Sequence, residues 1–266
     1  MFYHRLQPVG ALGPNVTIPG TKELDLKQRW QIDSFTLKII AIVGMTADHI
    51  GNVFWNQLPL VARCLLFAPG GLTFPIMAYL LTVGYQHTRD VRKYALRLGL
   101  FALISLLPFF WALELRLNVL FTLLLGLLVI WAYDKLKNRL LFLLIFLVAT
   151  GVTYWCDWSF IGVPMILLYH LARQQRSRLW WPVALVWLMG GVYMLQLLSL
   201  NASPALWLNW LPNLFYCFVG ASATIPLVYW YNGQRGRPLK YFFYGYYPVH
   251  LTILALVRGL FWGIWW

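Results

Sequence analysis

An aspartate and a histidine stand side by side within the first long apolar stretch of the chain, residues 35–55. They are Asp48 and His49. Placing a charged side chain at the centre of a membrane costs at least about 2.5–3.5 kcal/mol, so such residues usually face a protein interior and serve a function. His250 and Arg258 interrupt the last apolar stretch in the same way. Four titratable side chains at this depth indicate an embedded site rather than a passive anchor.

His49 has the chemistry of a general base. An imidazole with its ordinary pKa near 6.5 accepts a proton near neutrality, and a positioned base contributes ~10²–10⁴-fold in rate. The alternative is a structural histidine that is hydrogen-bonded between helices. Asp48 cannot orient His49, because adjacent residues on a helix point in different directions. Asp48 is expected to contact Asn52 on its own face, or a cation such as Arg63 or Arg258.

Other polar residues interrupt or close apolar stretches. His250 follows Pro248, and a proline kink frees backbone groups beside a polar side chain, as membrane binding sites require. The alternative for His250 is a hydrogen bond between helices. Asn118 opens an apolar stretch and is either a substrate contact or a helix N-cap. His87 and Arg89 close another stretch, where they could meet a phosphate-bearing donor, although anchoring at the membrane surface alone explains Arg89.

The composition is that of a membrane protein. Of 266 residues, 61% are hydrophobic and only 11% charged, whereas soluble domains average about 25% charged. The net charge of +13 does not indicate nucleic-acid binding, because the basic residues punctuate the apolar segments. The three cysteines are far apart and predict neither a disulfide framework nor a thiolate metal site. No nucleotide-binding or metalloprotease motif occurs, and no acidic metal cluster is indicated.

A spanning helix needs about 20 mostly apolar residues. The chain is therefore predicted to be an all-α, polytopic helix bundle with one membrane domain, residues 34–266, after a cytoplasmic and partly disordered arm, residues 1–33. The sixth span is short and is expected to be tilted, re-entrant or broken near Gly162 and Pro164. The nine predicted spans are 35–55, 68–86, 95–113, 117–133, 140–157, 159–172, 180–200, 211–230 and 241–263.

The basic residues predict the orientation of the bundle. The chain has 21 Lys and Arg residues, and all but Arg63, Arg116 and Arg258 lie in the first arm, at the start of the first span, or in the even-numbered connections. Cytoplasmic loops carry such an excess of Lys and Arg. The amino terminus is therefore predicted to be cytoplasmic and the carboxyl terminus extracytoplasmic.

Several motifs resemble those of the TraX family of membrane proteins, in the same order along the chain. The resemblance covers roughly residues 35–255 and is specific when the motifs are taken together. The motifs include Leu37-Lys38-Ile39-Ile40-Ala41, Asp48-His49-Ile50-Gly51, Thr73-Phe74-Pro75-Ile76, Gly84-Tyr85-Gln86-His87-Thr88-Arg89, Asn118-Val119-Leu120-Phe121-Thr122, Gly162-Val163-Pro164 and Tyr246-Tyr247-Pro248-Val249-His250-Leu251.

The resemblance implies a function. TraX is associated with amino-terminal acetylation of conjugative pilin, and the family is similar to transmembrane acyltransferases that take acetyl-CoA from the cytoplasm. A first-helix histidine is the usual catalytic candidate in those enzymes, and His49 occupies that position. Relatives also occur beside type IV pilin genes as pilin-specific accessory proteins, which need not be enzymes.

We therefore expect a multi-pass acetyltransferase of the bacterial inner membrane that modifies a pilin amino terminus. His49, with Asp48 beside it, would take the proton of the acceptor amine as the amine attacks the thioester. Asn118 or His250 would donate hydrogen bonds to the developing oxyanion. No metal is needed. Basic residues at the cytoplasmic mouth would hold the phosphates of CoA, the co-substrate: Lys38, His87, Arg89 and Arg92.

Two other classes remain open. The first is a non-enzymatic accessory protein that cradles the apolar pilin helix between its own helices. The second is a transporter of small solutes. The expected partners are a pilin subunit, the lipid bilayer and acyl-CoA, and nucleic acid is not expected.

Overall fold

The computed structural model describes residues 31–263, except for the side chain of Lys240. All regular structure in this range is helical and no β-strand occurs in it, so the all-α prediction is confirmed for the described residues. The predicted cytoplasmic arm lies outside the described range apart from its last three residues.

The helices follow one another with short connections. In chain order they are α1 Ser34–Val53, α2 Leu60–Gly70, α3 Thr73–His87, α4 Val91–Ile104, α5 Leu106–Ala112, α6 Val119–Lys135, α7 Arg139–Val152, α8 Ser159–Ala172, α9 Trp181–Ser199, α10 Pro204–Leu214, α11 Ala221–Tyr229 and α12 Lys240–Trp262. A π-helical segment, Phe215–Gly220, joins α10 to α11. Short 3₁₀ turns occur at Trp55–Gln57, Thr153–Trp155 and Arg176–Arg178.

Short polar side chains fix where several helices begin. The Asp33 carboxylate accepts a hydrogen bond from the Thr36 backbone N–H at 2.7 Å, and Asp90 accepts one from the Lys93 N–H at 3.0 Å. These contacts satisfy backbone donors that have no partner inside the helix. The side chains of Asn118, Asn138 and Ser203 cap α6, α7 and α10 in the same way.

Three helical stretches in the described range are long and apolar enough to cross a membrane: Leu60–His87, Arg176–Ser199 and Pro204–Tyr229. The pair α4 and α5, bent by 41° at its break, gives a fourth if it forms one span. α1 and α12 are not among them, although they contain 20 and 23 residues. Their polar side chains, which include His49 on α1 and His250 on α12, reduce the mean hydropathy of these two helices.

The structure corrects two of the predicted spans and excludes one alternative for the sixth. The second span begins earlier than predicted, because the chain is already helical from Leu60 to Gly70 (α2). It is helical again from Thr73 as α3, after Gly71 and Leu72. The eighth begins earlier, at Pro204. The sixth is the continuous helix α8, which is not broken at Gly162 or Pro164. The total of nine spans and the orientation of the two termini stay predictions.

The bundle is held together by large apolar side chains and by close contacts at glycines. α8 lies at its centre against α3, α6, α7 and α9, and α1 packs against α2, α3 and α12. A Cβ atom at Gly126 would overlap Ile166, and one at Gly44 would overlap the Pro69 carbonyl oxygen. Small residues permit such close approach of helices where lipid provides no hydrophobic driving force. Cys64, Cys156 and Cys217 are buried free thiols.

Candidate functional site

Two histidines from opposite ends of the sequence meet inside the bundle. His49 on α1 and His250 on α12 are each only 6% exposed. The Nδ1 atom of His49 lies 2.7 Å from the Nε2 atom of His250, and the ring planes differ by 2°. The sequence predicted both residues as functional but gave no indication that they are in contact.

A backbone carbonyl determines which nitrogens of the pair carry protons. His250 Nδ1 lies 2.8 Å from the carbonyl oxygen of Tyr246, which can only accept, so this nitrogen donates. In the neutral pair, His250 Nε2 then accepts and His49 Nδ1 donates to it. His49 Nε2 is consequently left with a lone pair. The pair therefore presents His49 as a base in one defined tautomer.

A second contact holds α12 against α1 at the same level. The Tyr246 and Thr46 hydroxyls lie 2.6 Å apart, and Thr46 donates its own proton to the Ile42 carbonyl oxygen at 2.8 Å. Tyr246 is therefore the donor in this contact. The Tyr246 ring also stacks on the His250 ring, with centroids 4.9 Å apart. These contacts restrain one face of the His250 ring and both of its ring nitrogens.

Asp48 is half-buried and packs against the α2 backbone. A Cβ atom at Gly70 would overlap its Cβ and carboxylate atoms, so a glycine is required there. The Asn52 amide donates to the Asp48 carbonyl oxygen at 3.0 Å. Arg63 donates to the Leu58 carbonyl oxygen and lies over the Trp55 ring, 4.6 Å from its centroid.

Arg258, the other cation considered for Asp48, lies at the end of α5. Its guanidinium donates to the carbonyl oxygens of Trp111 and Ala112 at 2.7 and 3.2 Å. A cation in this place satisfies the last carbonyls of a helix and offsets its dipole.

A second carboxylate, Asp157, approaches the same region from the loop between α7 and α8. Its backbone is held at both ends, because its N–H donates to the Leu117 carbonyl oxygen at 2.7 Å and Thr122 donates to its carbonyl oxygen at 2.5 Å. Burial raises the pKa of Asp157 to about 6, and the neighbouring Glu114 adds to this, while Arg116 opposes it. Asp157 nevertheless keeps partial exposure.

Two tyrosine rings lie in the same region. The ring of Tyr216, in the π-helical segment, lies 6.0 Å from the ring of Trp158, which follows Asp157 in the chain. The ring of Tyr247, on α12, lies 6.1 Å from the His49 ring and 5.6 Å from the His250 ring.

Asn118 has a structural role in this protein. It is fully buried, its side-chain oxygen accepts from the Leu120 N–H at 3.1 Å, and its amide donates to the Ala102 carbonyl oxygen at 2.8 Å. It thus caps α6 and ties that helix to α4. Since both nitrogens of His250 are also engaged, neither residue directs an unused donor towards an oxyanion.

A polar pocket of about 580 Å³ lies at the ends of α3, α6 and α8. Arg89 and Arg92, two of the predicted CoA-binding residues, line it together with Lys135 and Arg173. Four cations around one cavity suit a ligand with several phosphates. The sequence analysis missed Lys135 and Arg173 for this purpose, because membrane topology alone explained them.

The other two predicted phosphate ligands lie elsewhere. Lys38 extends over the Phe243 ring, 5.3 Å from its centroid, and His87 lies with its Nδ1 atom 3.0 Å from the Val83 carbonyl oxygen. Neither is among the residues that line the pocket.

The pocket also contains a hydrogen-bonded triad, Tyr85, Asp134 and His170, that the sequence analysis did not identify. Asp134 accepts from the Tyr85 hydroxyl and lies 3.0 Å from Nε2 of His170. His170 is fully buried, and its Nδ1 atom has no hydrogen-bond partner. In the described range, residues 31–263, no three His, Cys, Asp or Glu side chains are grouped as metal ligands would be.

Comparison with known proteins adds a family assignment. A family model described as "TraX protein" matches residues 34–258. A curated protein of Dichelobacter nodosus, named "Probable fimbrial assembly protein FimC, serogroup H1", is 32% identical over 244 residues, which cover 85% of this chain and 95% of that protein. No solved structure matches.

Proposed function

The chain belongs to the TraX family, and from that premise we propose that it is an integral-membrane acetyltransferase that moves acetyl from acetyl-CoA to the amino terminus of a pilin. The observation that carries the proposal is the buried histidine pair, which leaves His49 Nε2 as a base in a defined tautomer. The printed name of the Dichelobacter relative, a fimbrial assembly protein, supports a pilin-related acceptor. We further propose that the protein lies in the bacterial inner membrane.

In the proposed reaction, the acceptor nitrogen attacks the thioester carbonyl carbon while His49 Nε2 takes one proton from that nitrogen. The new C–N bond forms, the C–S bond breaks, and His49 returns the proton to the thiolate sulfur. His250 is a positioning residue, because it holds the His49 Nδ1 proton and stabilises the transient imidazolium. The side chains of the site need no metal for these steps.

We assign the phosphates of CoA to the pocket that Arg89, Arg92, Lys135 and Arg173 line. In the predicted orientation this pocket opens to the cytoplasm, where acetyl-CoA is made. His49 lies 15 residues from the start of α1, about 22 Å along the helix at 1.5 Å per residue. The acyl arm of the donor would have to reach inward from the pocket over a distance of this order.

The first test is the mass of the pilin. With the wild-type protein we expect a pilin heavier by one acetyl group at its amino terminus, and with His49→Ala we expect turnover to fall by ~10²–10⁴-fold. Met45→Leu, one turn earlier on α1, is the matched control and should acetylate normally. An unmodified pilin in the presence of wild-type protein would refute the proposal.

A pilin accessory protein without enzymatic activity is the second candidate, and the name of the fimbrial assembly relative favours it equally. It predicts that pilus assembly requires the protein, that pilin mass never changes, and that His49→Ala still assembles pili. Measuring pilin mass and surface pili in the same strains separates the two functions.

The second test is donor binding to purified protein. Acetyl-CoA should raise the melting temperature of the wild type, because a ligand at 100 times its Kd stabilises by about 2.7 kcal/mol. The double variant Arg89→Ala, Lys135→Ala should lose most of this shift. Arg178→Ala removes an exposed cation that does not line the pocket and should keep it. Equal shifts in all three proteins would exclude this pocket.

A further inference from the structure

The polar pocket at the ends of α3, α6 and α8 contains carboxylates as well as its four cations. Asp90 and Asp134 both line it. Asp90 has a structural role, because it caps α4 through the Lys93 backbone N–H and lies 3.6 Å from the Lys93 ammonium. Asp134 has no such role, and among the described residues its ion pair is with His170 rather than with the four cations. Phosphate binding does not explain Asp134, since a carboxylate repels phosphates.

Two donors from other helices hold the Asp134 carboxylate in place. The Tyr85 hydroxyl on α3 donates to Oδ2 at 3.0 Å, and Nε2 of His170 on α8 lies 3.0 Å from Oδ1. An ionised carboxylate only accepts, so Nε2 carries the proton in this contact, and about four lone-pair sites on the two oxygens leave capacity for a further donor. The Asp134 side chain is 31% exposed and lines the pocket, so a ligand there can reach it.

His170 shows that this arrangement is built into the fold. Its side chain is fully buried, it lines the same pocket, and its Nδ1 atom has no hydrogen-bond partner. Buried polar atoms are rarely left unpaired, because the loss of their hydration is not compensated. The orientation of the ring is therefore explained by what Nε2 does for Asp134 and not by the needs of the imidazole itself.

One face of α6 presents an aromatic ring beside this acceptor. Trp131, Asp134 and Lys135 are spaced i, i+3 and i+4, which places them on one side of a helix, and all three line the pocket. The Trp131 side chain is 41% exposed. Indole rings stack on nucleobases, carboxylates accept from the amino groups of bases, and cations bind phosphates. The pocket thus offers a separate contact for each part of a nucleotide.

We infer that the pocket binds an adenine nucleotide, with the base against the Trp131 ring, its exocyclic amino group donating to Asp134, and its phosphates among the four cations. This inference rests on the proposed function, since it identifies how the nucleotide end of the acetyl donor is recognised. Asp134 is the residue that determines specificity, and Tyr85 and His170 are positioning residues that act through it. Cytosine bears a similar amino group, and the proposed donor favours adenine. A phospholipid headgroup has no flat ring for Trp131.

The test compares two nucleotides that differ only in the amino group at C6, ADP and purine riboside 5′-diphosphate. Their Kd values are measured with the full-length protein in phosphatidylcholine nanodiscs at pH 7. We expect ADP to bind at least about tenfold more tightly, because a hydrogen bond to a charged group is worth about that factor. This comparison uses the wild type and does not depend on the folding of any variant.

Asp134→Asn should bring the ratio of the two Kd values close to one. One of the two oxygens becomes an N–H₂ group, and the remaining oxygen is needed by Tyr85 or His170. Asp90→Asn is the matched control, because it removes the same charge from the same pocket and keeps a side chain that caps α4. It should leave the ratio unchanged. Equal changes in the two variants would show that the pocket responds to charge alone and would refute the role of Asp134.

Two further variants separate the base from its positioning. Trp131→Leu should weaken both nucleotides by about tenfold and leave the binding of pyrophosphate unchanged, because only the stacking of the base is lost. Tyr85→Phe removes one donor to Asp134 and should lower the ratio severalfold, again without an effect on pyrophosphate. Unchanged nucleotide binding in Trp131→Leu would exclude the ring, and an unchanged ratio in Tyr85→Phe would exclude positioning by Tyr85.

Other outcomes would assign the pocket to a different ligand. Equal binding of ADP, its analogue without the amino group and pyrophosphate would reduce it to a phosphate site. Displacement of ADP when phosphatidylglycerol is added to the nanodiscs would assign it to a lipid headgroup. The result is distinguishable from that of the proposed reaction. Preference for ADP without acetylation of the pilin would refute the acetyltransferase alone, whereas acetylation without this preference would refute recognition of the base by Asp134.

Discussion

A single backbone carbonyl determines which histidine of the pair can act as the base. The Tyr246 carbonyl takes the Nδ1 proton of His250, which makes His250 an acceptor and His49 a donor at the shared contact. The lone pair that remains on His49 Nε2 is thus a consequence of the geometry of α12, and His250 lies 201 positions from His49 in the sequence. This is the physical reason why neither histidine can be interpreted in isolation.

Asp157 should make stability depend on pH. Its folded-state pKa of about 6 lies above the unfolded value of about 3.9, so its relative stabilisation is present below pH 4 and is lost as pH rises through 6. We expect Asp157→Asn to melt about 2–4 °C above the wild type at pH 7.5, or about 1 kcal/mol after allowance for partial exposure. The gain should fall to roughly a third of this at pH 4.5, where the unfolded carboxyl is still mostly ionised, and should vanish only near pH 3.

The matched control for this prediction is Asp90→Asn. The Lys93 backbone N–H holds the pKa of Asp90 below its usual range, so Asp90 does not titrate between pH 4.5 and 7.5. Melting curves across this pH range should therefore remain parallel to those of the wild type. If Asp157→Asn also gave a parallel curve, Asp157 would not be desolvated in the folded protein.

At the scale of elements, the site depends on how the π-helical segment approaches the end of α2. A Cβ atom at Gly220 would overlap the Ala68 carbonyl oxygen, and one at Gly71 would overlap the Tyr216 carbonyl oxygen. The two backbones are therefore in direct contact at Tyr216 and at Gly220. This contact fixes the position of Tyr216 relative to Gly70, against which Asp48 packs.

Gly220→Ala should destabilise the protein by about 1–3 kcal/mol, because the added methyl group meets backbone rather than a movable side chain. Gly191→Ala on α9 has no heavy atom within 4 Å of the new Cβ and should be stabilised by about 0.5–1 kcal/mol through helix propensity. Melting temperatures of the two variants in detergent measure the difference. Shifts of the same sign would contradict the close contact.

At the scale of the whole molecule, charge distribution predicts how the bundle sits in the membrane. Nearly all of the basic residues fall in the arm and the even-numbered connections, so the pocket lined by Arg89 and Lys135 is predicted to face the cytoplasm. The histidine pair is predicted to lie in the outer half of the bilayer. In the proposed reaction, acetyl-CoA and the pilin would then enter from opposite sides of the membrane.

Cysteine labelling tests this orientation. The three native cysteines are buried free thiols, so background labelling of the protein without an added cysteine should be low. Gln57→Cys, in the exposed connection between α1 and α2, should react with a membrane-impermeant maleimide on intact cells. Lys137→Cys, exposed between α6 and α7, should react only after permeabilisation. The reverse pattern would show that the bundle is inverted.

The sequence by itself determined the membrane character, the all-helical fold and the individual residues that are costly at membrane depth, because apolarity and burial costs are local properties. It also indicated Asp48, His49 and His250 as candidates. Helix breaks were less predictable: Pro69-Gly70-Gly71 falls at the start of a predicted span, whereas the helical stretch runs from Leu60 to His87 with only Gly71 and Leu72 outside α2 and α3.

Only the tertiary structure decided which of these residues meet. His49 and His250 lie 201 positions apart, and no local pattern encodes such a pair. Asn118 is a candidate from the sequence whose role changed for the same reason. Both polar atoms of its side chain are hydrogen-bonded to backbone groups, and the sequence could not reveal these partners. Contact between distant segments follows from how helices pack, which is a property of the whole chain rather than of any stretch of it.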